Sequence, residues 1–375
     1  MRTTARPAAI FPILIFCLAL FLSGCGSSKM QVCNVAPGCC GPAAACPAPP
    51  QHLFAAGLNG KITSFPVFGG TLGTPTSITG PQVSFGMAVM GNQFLYASNS
   101  VAQPAGSVDA WTINPDSGAL TAVSGSPFSL GSFSLPGGLA ANNNAQVLYV
   151  ADVGGIDALH ADPTGALTAI SGSPFAATTG LYLAVDPGDK FLFASDSTPP
   201  GNVLAFTLDS SGALTAVPGS PFPIAGTTST EPQQIVVDSS GKFVYVDLLT
   251  TNQIAGFSID SSTGALTPVP GSPFAAGNGP LGLATANNLL YVSNTMDGTI
   301  SGYTIDPTSG VLTPISGSPF AISAAALTAN LSGNFLYTSG VKGLQAWAID
   351  GATGALTQVG SPVSFAGATM LVFAM

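Results

Sequence analysis

The stretch TGALTAISGSPF, Thr164 to Phe175, is one copy of a sequence motif, called here the phrase. The phrase occurs almost identically five times along the chain and a sixth time in a shortened form. Its shared glycine stands at positions 118, 165, 212, 264, 310 and 354. The repeat is therefore about 47 residues long, a period typical of the blades of a β-propeller and longer than that of most helical repeats.

One repeat unit, centred on Asn287, divides into four short runs. They read LGLATA, NLLYVSN, GTISGYTID and VLTPISGSPF, and turn-forming Asn-Asn, Asp-Gly and Pro-Thr-Ser-Gly separate them. Each run is rich in β-branched and aromatic residues, as strands are, and none shows the 3.6-residue periodicity of a helix. The pattern predicts an all-β protein whose blades have four strands.

The second strand of each blade can be counted directly. It reads LFAAG, FLYAS, VLYVA, FLFAS, FVYVD, LLYVS and FLYTS in turn, which makes seven blades over residues 51–375. The first of these runs lacks a preceding strand, whereas a surplus run, Ala368 to Met375, follows the last phrase. We expect this C-terminal strand to become the innermost strand of the first blade, because closing the ring removes unpaired strand edges.

The phrase itself has a structural interpretation. Asp306 to Gly310 and its copies predict a tight turn between third and fourth strands, since Asp caps such turns and Gly accepts a positive φ. The run that follows is the outermost strand, where proline is tolerated. We expect the phenylalanine that ends each phrase to bury its ring between blades. These residues are Phe128, Phe175, Phe222, Phe274 and Phe320.

The N-terminus has the features of a lipoprotein signal peptide over residues 1–24. Arg2 and Arg6 precede a short apolar run that ends in Leu-Ser-Gly and Cys25. This ending resembles the lipobox of bacterial lipoproteins, which implies lipidation, including palmitate, on Cys25. Gly26 follows the cysteine, which favours the outer membrane or cell surface, with the periplasmic side as an alternative. An ordinary secretory signal or an uncleaved anchor would also fit a charged start and an apolar run.

Residues 25–50 read as a flexible tether, because Gly, Pro, Ala and Ser cannot build a core. Four cysteines lie within it: Cys33, Cys39, Cys40 and Cys46. In an exported protein disulfides are the default, and four cysteines allow three connectivities. A metal site is the alternative, although the paired C-x2-C spacing of zinc sites is missing. Redox chemistry by these thiols is a further hypothesis.

The composition of the chain limits the classes of molecule that it can bind. The chain has 7 basic and 16 acidic residues, and charged residues make up only 6% of it. Nucleic acid is excluded as a partner, because phosphate binding needs clustered lysine and arginine. We expect a monomer that meets the membrane only through its lipid.

The run LYVSNTMDGTISGYTID, Leu290 to Asp306, together with Leu148 to Val150 and Val244 to Val246, resembles the seven-bladed lactonase-like propellers. That group includes 6-phosphogluconolactonase-type proteins and the YVTN repeats of surface proteins. The resemblance implies the propeller fold over residues 51–375. It also implies that ligands meet the face opposite the repeated turns, around the central channel.

Polar residues near the ends of the second strands form a candidate ligand rim on that face. They are Asn99, Asp152, Asp196, Asp247 and Asn294, with Glu231 in the segment that enters the fifth blade. Converging acids and amides could hold a cation such as Ca²⁺ or a polar sugar. The alternative is that each caps a local turn, as Asn and Asp do in many loops.

Catalytic residues are harder to find in the sequence. Glu231 is the only glutamate, no arginine follows Arg6, and the histidines are His52 and His160. Lactone hydrolysis needs a base for water and a donor for the oxyanion, and phosphosugar substrates call for cations. We therefore interpret the chain as a non-catalytic envelope propeller that binds a protein or glycan and needs no cofactor. Lactone hydrolysis, with a divalent metal replacing the missing basic groups, is the alternative.

Overall fold

A computed structural model of the chain describes residues 51–57, 59–81, 85–100, 106–130, 136–175, 182–225, 231–365 and 368–374. The predicted signal peptide, Cys25 and the four tether cysteines lie outside these ranges. Every regular element in them is a β-strand, and no helix there is long and apolar enough to cross a bilayer. The strands form seven separate antiparallel sheets, which confirms the all-β seven-bladed propeller.

The strands of each blade are given from the channel outward. The first blade has β32 (Ala368–Ala374), β1 (Gln51–Gly57), β2 (Lys61–Phe68) and β3 (Thr71–Leu72), with β4 (Thr76–Thr79) also paired to β2. The second has β5 (Met87–Met90), β6 (Phe94–Asn99), β7 (Ser107–Ile113) and β8 (Leu120–Ala122), with β9 (Phe128–Ser129) on β7. The third has β10 (Leu139–Asn142), β11 (Val147–Asp152), β12 (Gly155–Ala161) and β13 (Leu167–Ala169). The fourth has β14 (Leu183–Val185), β15 (Phe191–Asp196), β16 (Asn202–Leu208) and β17 (Leu214–Ala216), with β18 (Phe222–Pro223) on β16.

The remaining three blades follow the same order. The fifth has β19 (Pro232–Val237), β20 (Phe243–Leu248), β21 (Gln253–Ile259) and β22 (Leu266–Pro268), with β23 (Phe274–Ala275) on β21. The sixth has β24 (Pro280–Ala286), β25 (Leu289–Asn294), β26 (Thr299–Ile305) and β27 (Leu312–Pro314). The seventh has β28 (Ala326–Ala329), β29 (Phe335–Gly340), β30 (Gly343–Ile349) and β31 (Leu356–Val363).

The ring is closed as the sequence predicts. The C-terminal strand β32 pairs antiparallel with β1, from His52 opposite Ala374 to Gly57 opposite Ala368. The innermost strands contact one another in sequence around the ring, and β32 lies between β28 and β5. The closing strand therefore completes both the first blade and the wall of the central channel.

Antiparallel pairing gives the ring two different faces. The face called here the turn face carries the turns between first and second strands and between third and fourth strands. The opposite face, called the mouth face, carries the loops that follow each second strand and the segments that enter each blade. The repeated phrase TGALTAISGSPF begins on the turn face, so the mouth face is formed by loops that do not repeat.

The hydrophobic core lies between the blades. Seven clusters of buried residues each combine the facing sides of two neighbouring blades, including the pair formed by the first and seventh blades. The second strands supply most of the fully buried residues, as in Leu148 and Val150 of the third blade. Burying apolar area between every pair of blades is the main force that holds the ring together.

The repeated phrase forms the turn that its residues predict. The Asp306 carboxylate accepts hydrogen bonds from the backbone amides of Thr308 (3.0 Å) and Ser309 (2.7 Å), and Gly310 has a φ of 75°. Further along, the Ser318 hydroxyl accepts the Gly302 amide at 2.9 Å. The serine thus satisfies a third-strand amide at the point where the fourth strand ends.

Tyrosines of the second strands tie neighbouring blades together. In five blades a fully buried tyrosine donates its hydroxyl to the carbonyl of the turn glycine in the next blade, at 2.6 to 3.0 Å. The pairs are Tyr96 with Gly165, Tyr149 with Gly212, Tyr245 with Gly310, Tyr291 with Gly354, and Tyr337 with Gly70. We call these contacts the tyrosine latches. The phenylalanines of the phrases, in contrast, are only partly buried, so they cover the clusters from outside.

Candidate functional site

Four of the predicted rim residues occupy the last position of their second strands. Asn99, Asp152, Asp196 and Asn294 end β6, β11, β15 and β25. Their side chains bond within the same blade, and Asn294 also accepts the Gly277 amide at 3.1 Å from the segment that enters its blade. The structure therefore distributes these four residues over four blades, each with local partners.

Two of these local networks illustrate the arrangement. The Asn294 amide donates to the hydroxyls of Thr299 (3.0 Å) and Ser301 (2.9 Å). The Asp196 carboxylate accepts the Asn202 amide group at 3.1 Å and the Thr198 hydroxyl at 2.8 Å. Bonds of this kind hold the loop between the second and third strands.

The third blade brings two carboxyl groups close together. Asp157, on β12, has its pKa raised to about 6, first by burial and then by the charge of Asp152. The Ser173 hydroxyl donates to Asp157 at 3.3 Å, which opposes the shift. Among the described residues no group of three or more His, Cys, Asp and Glu side chains could hold a metal ion.

Asp247 differs from the other rim residues in position and in environment. It is the fifth residue of β20, where the other second strands have Ala56, Ser98, Ala151, Ser195, Ser293 and Ser339. Successive strand residues face opposite sides, so Asp247 faces the sixth blade together with Tyr245. Leu248 occupies the position that corresponds to Asn99 and packs against the fourth blade.

The Asp247 side chain is completely buried, and neither carboxyl oxygen has a hydrogen-bond partner. Burial raises the pKa of this carboxyl well above its usual value. The backbone amides of Gln234 and Gln233 lie near it without reaching hydrogen-bond geometry, and they oppose the shift only in part. A bulge in β19 places these two glutamines opposite Asp247, between the pairs Pro232 with Leu248 and Ile235 with Val246. An unpaired buried carboxyl is costly, so its presence here requires a reason beyond packing.

Glu231 lies immediately before β19 and is exposed to solvent. Its backbone carbonyl accepts the Leu249 amide at 3.1 Å, which pairs the entering segment with the end of β20. Glu231 and Asp247 thus belong to the same corner of the fifth blade, but Glu231 is at its surface and Asp247 in its interior.

A cavity of about 280 Å³ lies on the axis of the ring, and the inner strands of all seven blades contribute to its wall. Leucine, valine, alanine and methionine side chains line most of it. Its polar lining side chains are those of Tyr182, Gln234, Thr285 and Thr328. The volume suits a small molecule, since drug-sized ligands occupy pockets of about 300 Å³ and more.

Tyr182, Gln234 and Asp247 form the polar part of this central site. Tyr182 precedes β14, and its pKa is raised by burial and then by the charge of Asp247. The Gln234 side-chain carbonyl accepts the Leu283 amide at 2.6 Å, which joins the fifth and sixth blades beside the cavity. A phenol and an amide group therefore reach the cavity wall, with a buried carboxyl behind them.

Sequence reasoning did not single out Tyr182 or Gln234. The available signal was the register of the second strands, in which aspartate replaces a serine or alanine only in the fifth blade. The histidines lie elsewhere: His160 is exposed on β12, whereas His52 is fully buried on β1. The His52 ring donates from Nε2 to the Pro115 carbonyl at 3.3 Å, and its Nδ1 has no partner.

A closed ring of seven four-stranded blades around a small axial cavity defines a seven-bladed β-propeller. A sequence profile described as "Lactonase, 7-bladed beta-propeller" matches residues 126–369. The profile spans more than half of the chain, and the protein therefore belongs to this lactonase family. No curated protein matches the chain by sequence.

Solved structures show the same fold. A proposed 6-phosphogluconolactonase from Bacteroides fragilis has 18% sequence identity and a TM-score of 0.70, with 88% of this chain and 99% of that chain covered. The periplasmic gluconolactonase of Pseudomonas aeruginosa has 17% identity and a TM-score of 0.67, with 87% and 99% covered. At these identities the similarity concerns the fold.

Proposed function

We propose that this protein hydrolyses a small lactone bound in the axial cavity. The observation that carries the proposal is the polar wall that Tyr182 and Gln234 form in that cavity, with the enclosed carboxyl of Asp247 behind it. Membership of the lactonase family supports it, as do neighbours named for the hydrolysis of gluconolactones. These findings favour lactone hydrolysis over the non-catalytic platform that composition alone suggests.

The chemistry requires two kinds of group. Water adds to the carbonyl carbon, the ring carbon–oxygen bond breaks, and the ring oxygen takes up a proton. The Tyr182 hydroxyl can donate a hydrogen bond to the oxygen that becomes negative. A carboxyl with a raised pKa can hold and return a proton during these steps, and burial raises the pKa of Asp247 well above its usual value. Asp247 is enclosed and has no hydrogen-bond partner, so its proton would exchange with the cavity through the Tyr182 hydroxyl once a ligand is bound.

The test is turnover of aldonolactones by the purified full chain, measured above the rate of spontaneous ring opening. We expect Tyr182→Phe and Asp247→Asn to lower kcat by about a hundredfold, the effect of removing one acid–base group. Asp196→Asn is the matched control, because that carboxyl is bonded within its own loop. Assays with and without Ca²⁺, Mg²⁺, Mn²⁺ and Zn²⁺ test the metal-assisted form. Turnover that never exceeds the spontaneous rate under any of these conditions refutes the proposal.

A non-catalytic platform is the second candidate. It is favoured by the cavity lining, in which Tyr182 is the only ionisable side chain. A propeller of this kind would bind a protein or glycan on the mouth face with rigid, repeated blades behind it. Substitutions at Tyr182 and Asp247 would then leave binding of that partner unchanged, whereas substitutions of exposed mouth-face residues such as Met296 would weaken it.

The N-terminal features support a place in the cell envelope. We propose that Cys25 carries a lipid and that residues 25–50 tether the propeller to the outer membrane or cell surface. Metabolic labelling with a fatty-acid probe should mark the wild-type protein and not Cys25→Ser. Equal labelling of the two proteins would contradict the assignment.

A further inference from the structure

We propose that the ligand of the axial cavity is an uncharged, hydroxyl-bearing lactone and that a phosphorylated lactone is rejected. The inference deepens the function proposed above and rests on it for the chemical identity of the ring. It starts from Asp247, whose completely buried carboxyl has no hydrogen-bond partner beside the bulge that brings Gln234 to the cavity wall.

Comparison of the blades shows that the fold does not require this carboxyl. The six corresponding positions hold serine or alanine in blades of the same architecture. Ser98, for example, accepts the Gly86 amide at 2.9 Å and leaves no buried charge. A residue that costs stability at one blade only, next to the cavity, is better explained by a ligand than by packing.

The surroundings of Asp247 also indicate which ligands fit. Burial raises the pKa of its carboxyl, so this corner of the cavity destabilises a negative charge instead of stabilising one. A phosphate dianion placed there would be destabilised for the same reason. On the cavity wall the Tyr182 phenol can donate and accept hydrogen bonds and the Gln234 amide nitrogen can donate, which matches the hydroxyl groups of an unphosphorylated sugar ring. Among the described residues, no lysine or arginine lines the cavity to neutralise a phosphate.

The charges around the mouth of the channel favour the same class of ligand. Besides the enclosed Asp247, six acidic side chains lie on the mouth half of the ring. They are Asp109, Asp152, Asp157, Asp196, Glu231 and Asp297. The lysines of the described mouth half are both exposed, Lys61 at the start of β2 and Lys342 in the turn before β30. The field over the entrance is therefore negative, and it disfavours the approach of an anion.

Binding can be measured apart from catalysis with glucono-δ-lactam, an uncharged ring that is not a substrate for ester hydrolysis, and with its 6-phosphate. In calorimetry on the full chain we expect the lactam to bind at least about tenfold more tightly than the phosphate, because like charges at the site oppose the latter. Gln234→Leu and Tyr182→Phe should each weaken lactam binding about fivefold, the loss of one hydrogen bond. Asp196→Asn should leave it unchanged.

A gain-of-function variant sharpens the test. Gln234→Arg supplies the missing cation at the cavity wall, so it should improve binding of the 6-phosphate relative to the lactam. A merely structural role for these residues would lower the affinity for both compounds together. The ratio of the two affinities separates the explanations.

Tighter or equal binding of the 6-phosphate by the wild type overturns the inference. So does the failure of both compounds to bind, or an unchanged lactam affinity in Gln234→Leu and Tyr182→Phe. Selective lactam binding without lactone turnover refutes the proposed hydrolysis but supports an uncharged, hydroxyl-bearing ring as the ligand. Turnover that prefers phosphorylated lactones supports the hydrolysis and refutes the ligand class.

Discussion

The tyrosine latches make a quantitative prediction about how the ring is held together. The Tyr291 hydroxyl donates to the Gly354 carbonyl at 2.7 Å, and the whole side chain is buried. Tyr291→Phe removes one oxygen and creates no steric conflict, since the first and fourth blades already have Phe54 and Phe193 at this position. What is lost is one buried hydrogen bond, and the glycine carbonyl is left without its partner.

We expect Tyr291→Phe to lower the free energy of unfolding by about 1 to 1.5 kcal/mol, the net contribution of a buried hydrogen bond. Tyr96→Phe breaks a latch between other blades, so the double variant should lose the sum, about 2 to 3 kcal/mol. Phe193→Tyr places a hydroxyl towards the Gly264 turn and should stabilise the ring. Urea unfolding followed by tryptophan fluorescence measures all four proteins.

The pH dependence adds an independent check. Burial raises the pKa of the Tyr291 hydroxyl in the folded protein, so above about pH 10 the unfolded chain loses its proton first. Stability should therefore fall as the pH rises through this range, and less steeply in Tyr291→Phe. An unchanged free energy of unfolding in Tyr291→Phe at neutral pH, or a stability–pH curve identical to the wild type, would refute the latch as a stabilising contact.

Three further predictions concern the closing strand and two buried ionisable groups. Removal of Ala368 to Met375 exposes the channel edge of β1, so the truncated protein should aggregate on purification; a truncation that melts at the wild-type temperature contradicts closure. Burial lowers the pKa of His52, so stability should fall as the pH drops below about 6.5, and His52→Phe should abolish that loss in urea titrations at pH 5 and pH 7. Asp247→Ser removes an unpaired carboxyl and should raise the free energy of unfolding at pH 7 by about 2 kcal/mol, with a smaller gain below about pH 3, where the carboxyl is mostly protonated in both states.

The architecture could be predicted from the sequence because its signals are local. The turn that begins at Asp306 is made by residues within five positions of one another, and its repetition counts the blades. The surplus strand Ala368 to Met375 could then be assigned to the first blade, which lacks an inner strand of its own. No knowledge of distant contacts was needed for these steps.

The candidate site could not be predicted in the same way, because it depends on strand register and on a bulge. Asp247 was grouped with Asn99 and Asp196, yet it stands one position earlier in its strand and so faces the opposite side. Gln234 reaches the cavity only because β19 contains a bulge, and no residue of the segment marks that bulge. A shift of one residue along a strand does not change the spacing of the motifs, but it moves a side chain to the other side of the sheet.

The pairing of β32 with β1 has a consequence for how the protein matures. His52 and Ala374 are partners although about 320 residues separate them. The chain must therefore lose the entropy of closing a long loop before this pairing contributes to stability. During synthesis the first blade stays without its inner strand until β32 has been made. The other six blades can form before that point, so the pairing of β32 with β1 is the step that closes the ring.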